Sequence, residues 1–212
     1  FPLYARRISD FRRAVRHRTV LLRAGKRTES VSRAMAPLAA WIWSYREEAA
    51  GLLSLGLAHF PDLSPAPLEL VHVRGGGSGT EDPLDDWWKS LETWGERERK
   101  SCLSLVGPHR DDLLVRTGGR EAAVFFSRGQ IRRASVALML AAGKAVEARL
   151  RRKPLILLDE IASELDGEGR KITVASLEGT GWQVVAAAAE MPGEEWPGSM
   201  WKVEEGAVLP CG

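Results

Sequence analysis

The chain has 212 residues, enough for one good core or two small ones, and its 27% charged and 44% apolar residues are ordinary for a soluble protein. A net charge of +2 does not by itself announce a nucleic-acid binder, and no apolar run reaches the length of a membrane span. Cys102 and Cys211 make neither a disulfide framework nor a metal-ligand spacing, and the start Phe1-Pro2-Leu3-Tyr4-Ala5-Arg6-Arg7 lacks the layout of a secretory signal, so a cytoplasmic protein without a membrane partner is expected.

Residues 1 to about 60 read as helices. Ile8, Phe11, Val15 and Leu22 fall at helical spacing, as do Val31, Met35, Leu38, Ile42, Tyr45 and Ala49. A turn near Ala24-Gly25-Lys26 makes them an antiparallel pair. The first helix carries Arg6, Arg7, Arg12, Arg13, Arg16, Arg18 and Arg23, followed by Lys26 and Arg27, with Asp10 as the only acid before Glu29. Such a run is either a solvated face or a surface that tracks phosphates. Residues 61–67 break the helices. Residues 68–74 alternate and read as a strand, and residues 75–83 form a loop. Residues 84–100 read as a third long helix whose stripe of Trp87, Trp88, Leu91 and Trp94 suits a core or an interface better than a base-stacking platform.

Residues 102–106 read as a strand. Gly107-Pro108-His109-Arg110-Asp111-Asp112 follows, at its plainest a charged turn before a strand over 113–116. Gly118-Gly119 predicts a hairpin turn into a partner strand over 122–126. His109 has no His or Cys at ligand spacing and is not expected to bind metal.

The stretch from Ser127 to Asp166 carries the chemistry. Ser127-Arg128-Gly129-Gln130 opens a long helical pattern with apolar residues at Ile131, Ala134, Leu138, Ala142 and Val146. A serine and a glycine at a helix start leave backbone N–H groups and the positive end of the helix dipole facing outward, which suits an anion. Leu155-Ile156-Leu157-Leu158, just after Pro154, reads as a fully buried strand of a parallel sheet. Asp159 and Glu160 follow at its carboxyl end, where ligands of open α/β sheets bind. Asp159 there can hold Mg²⁺ through water, and Glu160 can take a proton from an attacking water; alternatively, both acids cap the following turn. Residues 168–178 read as a helix, 182–188 as the next buried strand, and 200–209 as a closing hairpin around Glu205-Gly206.

The order Ser127-Arg128-Gly129-Gln130, then Leu158-Asp159-Glu160, then Ala162-Ser163-Glu164-Leu165-Asp166 resembles the signature, Walker B and D-loop of ABC-type ATPases. With Gly107-Pro108-His109-Arg110-Asp111-Asp112-Leu113 upstream, it resembles more narrowly the RecF family of bacterial DNA replication and repair ATPases. The sharp motifs occupy about the last half of the chain. The resemblance implies an α/β fold, the C-terminal part of an ABC-type P-loop ATPase head over residues 99–212, with a mostly helical arm or lid over residues 5–98.

It further implies ATP and Mg²⁺ as cofactors, Asp159 on the metal, Glu160 as the catalytic base, and Ser127, Arg128, Gly129, Gln130 and Asp166 as nucleotide contacts. The implied partners are DNA at single-strand/double-strand junctions, an ATP-dependent homodimer, and the RecR and RecO proteins that support loading of RecA. No G-x-x-x-x-G-K-[ST] P-loop occurs: Gly25-Lys26 precedes Arg27, Gly143-Lys144 precedes Ala145, and Gly75-Gly76-Gly77 precedes Ser78. The P-loop is therefore expected upstream of Phe1, and this chain alone is not expected to hydrolyse ATP. The place where ABC ATPases often carry a polar switch residue reads Ala187-Ala188-Ala189-Glu190, a departure from the pattern. A transporter ATPase subunit and a non-enzymatic interaction module are the rival readings.

Overall fold

The computed structural model describes residues 2–160, 165, 167–189 and 196–211. The chain forms two compact units that interleave in sequence, one of Phe1–Ser54 and Glu69–Glu121, the other of Leu55–Leu68 and Ala122–Gly212.

The first unit opens with the predicted helix pair, α1 (Pro2–Arg23) and α2 (Glu29–Leu57), whose last turn enters the second unit. Helix α1 ends in a Schellman motif: Gly25, at φ +64°, donates to Leu22 O at 3.0 Å and Lys26 donates to Leu21 O at 2.9 Å. Tyr4 stacks on Tyr45 while Arg18 bonds Ser32, so the helices run antiparallel as expected. Helix α3 (Pro83–Ser101) starts where Asp82 Oδ1 accepts from the N–H groups of Leu84 and Asp85, with Pro83 at the first helical position. It stops at Cys102, whose φ of +55° is left-handed.

The core of this unit is aromatic: Phe11, Met35, Ile42, Trp43, Trp87 and Val106 are all buried. Trp87 meets Phe11 edge-on, with ring centroids 6.2 Å apart. Leu91 and Trp94 of the predicted stripe pack against this core, but Trp88 stays 38% exposed.

Strands β1 (Glu69–Val73), β2 (Asp112–Thr117) and β3 (Arg120–Glu121) form an antiparallel sheet, registered Glu69↔Arg116 through Val73↔Asp112. Gly118 and Gly119 both have positive φ, as a tight hairpin requires. Two expected strands are absent. Residues 102–106 form no strand, because their backbone serves buried side chains: Leu105 N donates to Glu98 Oε1 at 2.7 Å, and Ser104 O pairs with the His109 ring. The predicted partner strand over 122–126 ends at Glu121 and gives way to a short helix, α4 (Ala122–Phe125), where Phe126 N donates to Ala122 O at 2.8 Å.

The second unit holds α5 (Arg128–Leu150), β4 (Leu155–Asp159), α6 (Gly167–Glu178), β5 (Gln183–Ala187) and an exposed hairpin of β6 (Trp201–Glu204) and β7 (Ala207–Pro210). Strands β4 and β5 pair in parallel from Leu155↔Gln183 to Asp159↔Ala187. The expectation of a fully buried strand is corrected. Ile156 and Leu158 are buried, but Leu155 and Leu157 are 54% and 69% exposed, because the period of two sends alternate residues to the uncovered face.

Helix α5 buries Ala134, Ala137, Leu140, Ala141 and Gly143, a face of small residues, while Ile131 and Val146 at its ends remain partly exposed. Two close approaches set that choice. A Cβ on Gly56, in the last turn of α2, would lie 2.5 Å from Ala141 O, and one on Gly143 would lie 2.5 Å from the Trp182 ring.

Candidate functional site

Ser127 is the N-cap of α5, with extended backbone. Its Oγ accepts from Gln130 N at 3.3 Å, while its own N–H donates to Gln130 Oε1 at 2.8 Å. This reciprocal capping box gives the predicted residues Ser127 and Gln130 one shared geometry. Arg128 and Gly129 occupy the first helical turn and are exposed, and helix geometry gives their N–H groups no intrahelical acceptor. A hydroxyl, outward N–H groups and the helix dipole thus converge at one exposed end.

Asp159 closes β4 opposite Ala187, and Glu160 extends the ladder by donating its N–H to Ala187 O at 2.9 Å. Glu160 has φ +53°, a left-handed conformation that is uncommon for a glutamate. Both acids are exposed at the carboxyl end of a parallel pair. No cluster of three His, Cys, Asp or Glu exists among the described residues. The chemistry of this end nevertheless fits Mg²⁺, which takes one or two carboxylates and fills its remaining positions with water and phosphate oxygens. Asp166 and Glu190, with Ser163 and Glu164 of the predicted D-loop, lie outside the described residues.

The two motifs belong to one unit, and a tryptophan links the helix that Ser127 caps to the strand paired with the one that ends at Asp159. Trp182, just before β5, lies against Gly143 of α5 and donates Nε1–H to Glu147 Oε2 at 3.1 Å. Lys144 Nζ sits 5.0 Å from the Trp182 ring centroid and 3.0 Å from Glu147 Oε2. Bonds from Lys144 and Trp182 hold the Glu147 carboxyl below its ordinary value. Trp182 was legible only as the first residue of a strand, since its partners are on a helix some 35 positions away.

In the first unit, the segment Gly107 to Asp112 proves to be a built polar centre. Asp111 accepts four hydrogen bonds: from Trp43 Nε1 at 2.9 Å, Gly75 N at 2.8 Å, Arg46 Nη1 at 2.6 Å and His72 Nε2 at 2.9 Å. Burial alone would push its carboxyl up; the donors outweigh burial and hold it below the usual carboxylate range. His109 bonds Ser104 O at 2.9 Å, and burial, aided by the charge of Arg110, lowers its basicity despite that bond. A cleft of ≈ 520 Å³ lies here, lined in part by Phe11, Arg12, Arg46, His72, His109 and Asp111. The motif is legible in the sequence, but its donors are not, because they come from α2, β1 and the loop after it.

Arg18, part of the basic run, turns inward. It forks onto Glu98 with Nη1–Oε1 at 2.9 Å and Nη2–Oε2 at 2.6 Å, while Nη1 reaches Ser104 Oγ and Nε reaches Ser32 Oγ. Arg18 and Glu98 are both buried.

The fold is that of the C-terminal part of an ABC-type ATPase head. Two solved structures share the fold across the whole chain: RecF with ATP, described as a recombination mediator protein of the RecFOR pathway (TM-score 0.79, 21% identity, 59% of that chain), and RecF with ATPrS (TM-score 0.78, 22% identity, 60% of that chain). The DNA replication and repair protein RecF of Yersinia pseudotuberculosis serotype O:1b (strain IP 31758) is 32% identical over 94% of this chain, and that of Sodalis glossinidius (strain morsitans) is 30% identical over 98%. No family model matches the chain. The chain belongs to the RecF family, and it spans 56% and 58% of the lengths of those two relatives. No helix among the described residues is long and apolar enough to cross a membrane.

Proposed function

We propose that this chain is the signature, Walker B and D-loop portion of an ATP-dependent DNA-binding protein of replication and recombinational repair. One observation carries the reading: Ser127 caps a long helix in the same unit in which Asp159 and Glu160 end a parallel strand. In this reading the P-loop lies in a stretch that relatives have and this chain does not span. Residues 5–98 serve as arm or lid and residues 99–212 as head. The compact units group residues 99–121 with the first and 55–68 with the second.

The mechanism is a head-to-tail sandwich. Ser127, Arg128, Gly129 and Gln130 of one copy meet the γ-phosphate of ATP held by a second copy. Hydroxyl, N–H groups and helix dipole stabilise its charge across the interface. Asp159 would hold Mg²⁺, which would supply neutralisation of phosphate charge. Glu160 accepts the proton of the attacking water. Asp166 contacts the opposite copy. ATP therefore joins two copies, and hydrolysis parts them. The pair binds DNA at single-strand/double-strand junctions and, with RecO and RecR, supports RecA loading.

The test is nucleotide-driven association of the complete protein that contains this chain. Sedimentation with a slowly hydrolysed ATP analogue should show a dimer for the parent. Ser127→Arg should bind the nucleotide and stay monomeric. An unchanged dimer in that variant overturns the trans role of Ser127. A non-enzymatic interaction module is the second reading, favoured by Ala187-Ala188-Ala189 standing where a polar switch residue is usual. Absence of ATP hydrolysis by the complete protein, with Glu160 or with Glu160→Gln, would favour that reading.

A further inference from the structure

Helix α1 divides its seven arginines into two sets. Arg18 is buried on Glu98, and Arg7, half-buried, lies 4.9 Å from the Trp41 ring centroid. Arg6, Arg12, Arg13, Arg16 and Arg23 are exposed, and the turn beyond adds exposed Lys26 and Arg27. Arg6 and Arg13, like Arg16 and Arg23, stand seven residues apart, which returns each pair to the same side of the helix. At about 1.5 Å per residue the row from Arg6 to Arg23 runs about 25 Å. Among the described residues, none of the five makes a salt bridge, and the helix's only acid, Asp10, is half-buried.

We propose that this exposed face of α1 is a surface for the phosphate backbone of duplex DNA. The inference rests on the DNA-binding reading above and assigns it a surface. The opposite, apolar face of α1 is buried through Phe11 and Leu22, so the helix has no free apolar side to sink into a lipid surface. Single-strand binders interleave cations with stacking aromatics. Of the aromatics on this helix, Phe11 is buried and Tyr4 is already stacked on Tyr45, and the exposed face offers only Val20 besides polar and small groups. A rigid row of guanidinium groups without base-reading or stacking partners matches a regular array of phosphates.

The test measures binding of the complete protein that contains this chain, with a slowly hydrolysed ATP analogue present, to a fluorescent random-sequence duplex by anisotropy over a series of salt concentrations. The triple variant Arg13→Gln/Arg16→Gln/Arg23→Gln is compared with a control, Lys89→Gln/Lys100→Gln on α3. The parent should bind with steep salt dependence. The triple variant should lose about 0.9 from the logarithmic salt slope for each arginine that meets a phosphate, and bind at least about tenfold more weakly near 0.1 M salt. The control should match the parent, and circular dichroism should be the same for all three. A triple variant that keeps the parental slope overturns the assignment to α1 while DNA binding itself stands. A parent that binds no duplex even at low salt overturns both. Tighter parental binding to polyglutamate than to duplex overturns the proposal in favour of an acidic protein partner.

Discussion

The indole of Trp43 donates to Asp111 Oδ1 at 2.9 Å, linking the middle of α2 to the first residue after the turn at Pro108–Arg110. Arg46, one turn further along α2, takes the other oxygen of the same carboxylate at 2.6 Å, which His72 of β1 also engages. One buried carboxylate thus fixes a helix, a strand and the Gly75 backbone. Asp111→Ala would strand four donors, one of them a charged and only partly exposed guanidinium. Removing one partner of such a buried pair costs about 3–5 kcal/mol. Asp111→Asn keeps the shape and one acceptor and should cost about 1–3 kcal/mol. Urea titration of both variants checks the order; an Asp111→Ala protein as stable as the parent would remove this centre from the account.

The Arg18–Glu98 pair gives a sharper prediction, because it can be broken in two ways. Arg18→Met leaves Glu98 buried and uncompensated and should destabilise the protein by about 3–5 kcal/mol. Arg18→Met/Glu98→Met removes both charges and should recover most of that loss, leaving Ser104, Ser32 and Leu105 N as the unpaired groups. A double-mutant cycle by urea unfolding measures the coupling. Because Arg18 faces inward, Arg18→Met should leave the salt slope of duplex binding at its parental value.

That pair also marks the boundary of what the sequence disclosed. The three long helices, the strands β1, β2, β4 and β5, and the capping serine all rest on local signals: periodicity, a proline or glycine at a boundary, a serine three residues before a glutamine. The fate of each arginine does not. Arg18 was one cation in a run, and its partner lies 80 residues away. The motif around Asp111 was visible, but its donors Trp43, Arg46, His72 and Gly75 are brought in by tertiary folding. Residues 102–106 looked like a strand because they are short and apolar; buried Glu98 claims the Leu105 N–H instead. In α5 the buried face was set by Gly56 and Trp182, neither of which is part of that helix's own pattern.

Titration of His109 and Asp111 should make stability fall in two steps as the solution is acidified. Burial lowers the basicity of His109, so the unfolded chain takes up that proton first. Its contribution is fully present above the unfolded value of about 6.5 and declines as pH falls through it toward the lower folded value. Asp111 is held below its ordinary value, so its contribution is present above about 3.9 and is lost as pH falls through the still lower folded value. His109→Gln should flatten the dependence between neutral and mildly acid pH and leave the lower step. Thermal melts across that range read this directly; an unaltered upper step would assign it to another group.

The contact between Gly143 and Trp182 bears on how α5 is held beside β5. An added methyl at position 143 would sit 2.5 Å from the Trp182 ring, a separation that packed carbons do not tolerate. Gly143→Ala also gains helix propensity, worth up to about 1 kcal/mol in the middle of a helix. Overpacking costs about 1–3 kcal/mol, and here the obstacle is a large ring fixed by Glu147 and Lys144, so the penalty should win and the variant should melt lower. Trp182→Phe shortens the ring and removes the bond to Glu147, a loss on its own. Combined with Gly143→Ala, it opens room for the methyl, and the double variant should be more stable than the sum of the two losses predicts. Strict additivity in thermal or urea unfolding would show that the two side chains do not meet, and the link between α5 and the strand pair carrying Asp159 would then be lost.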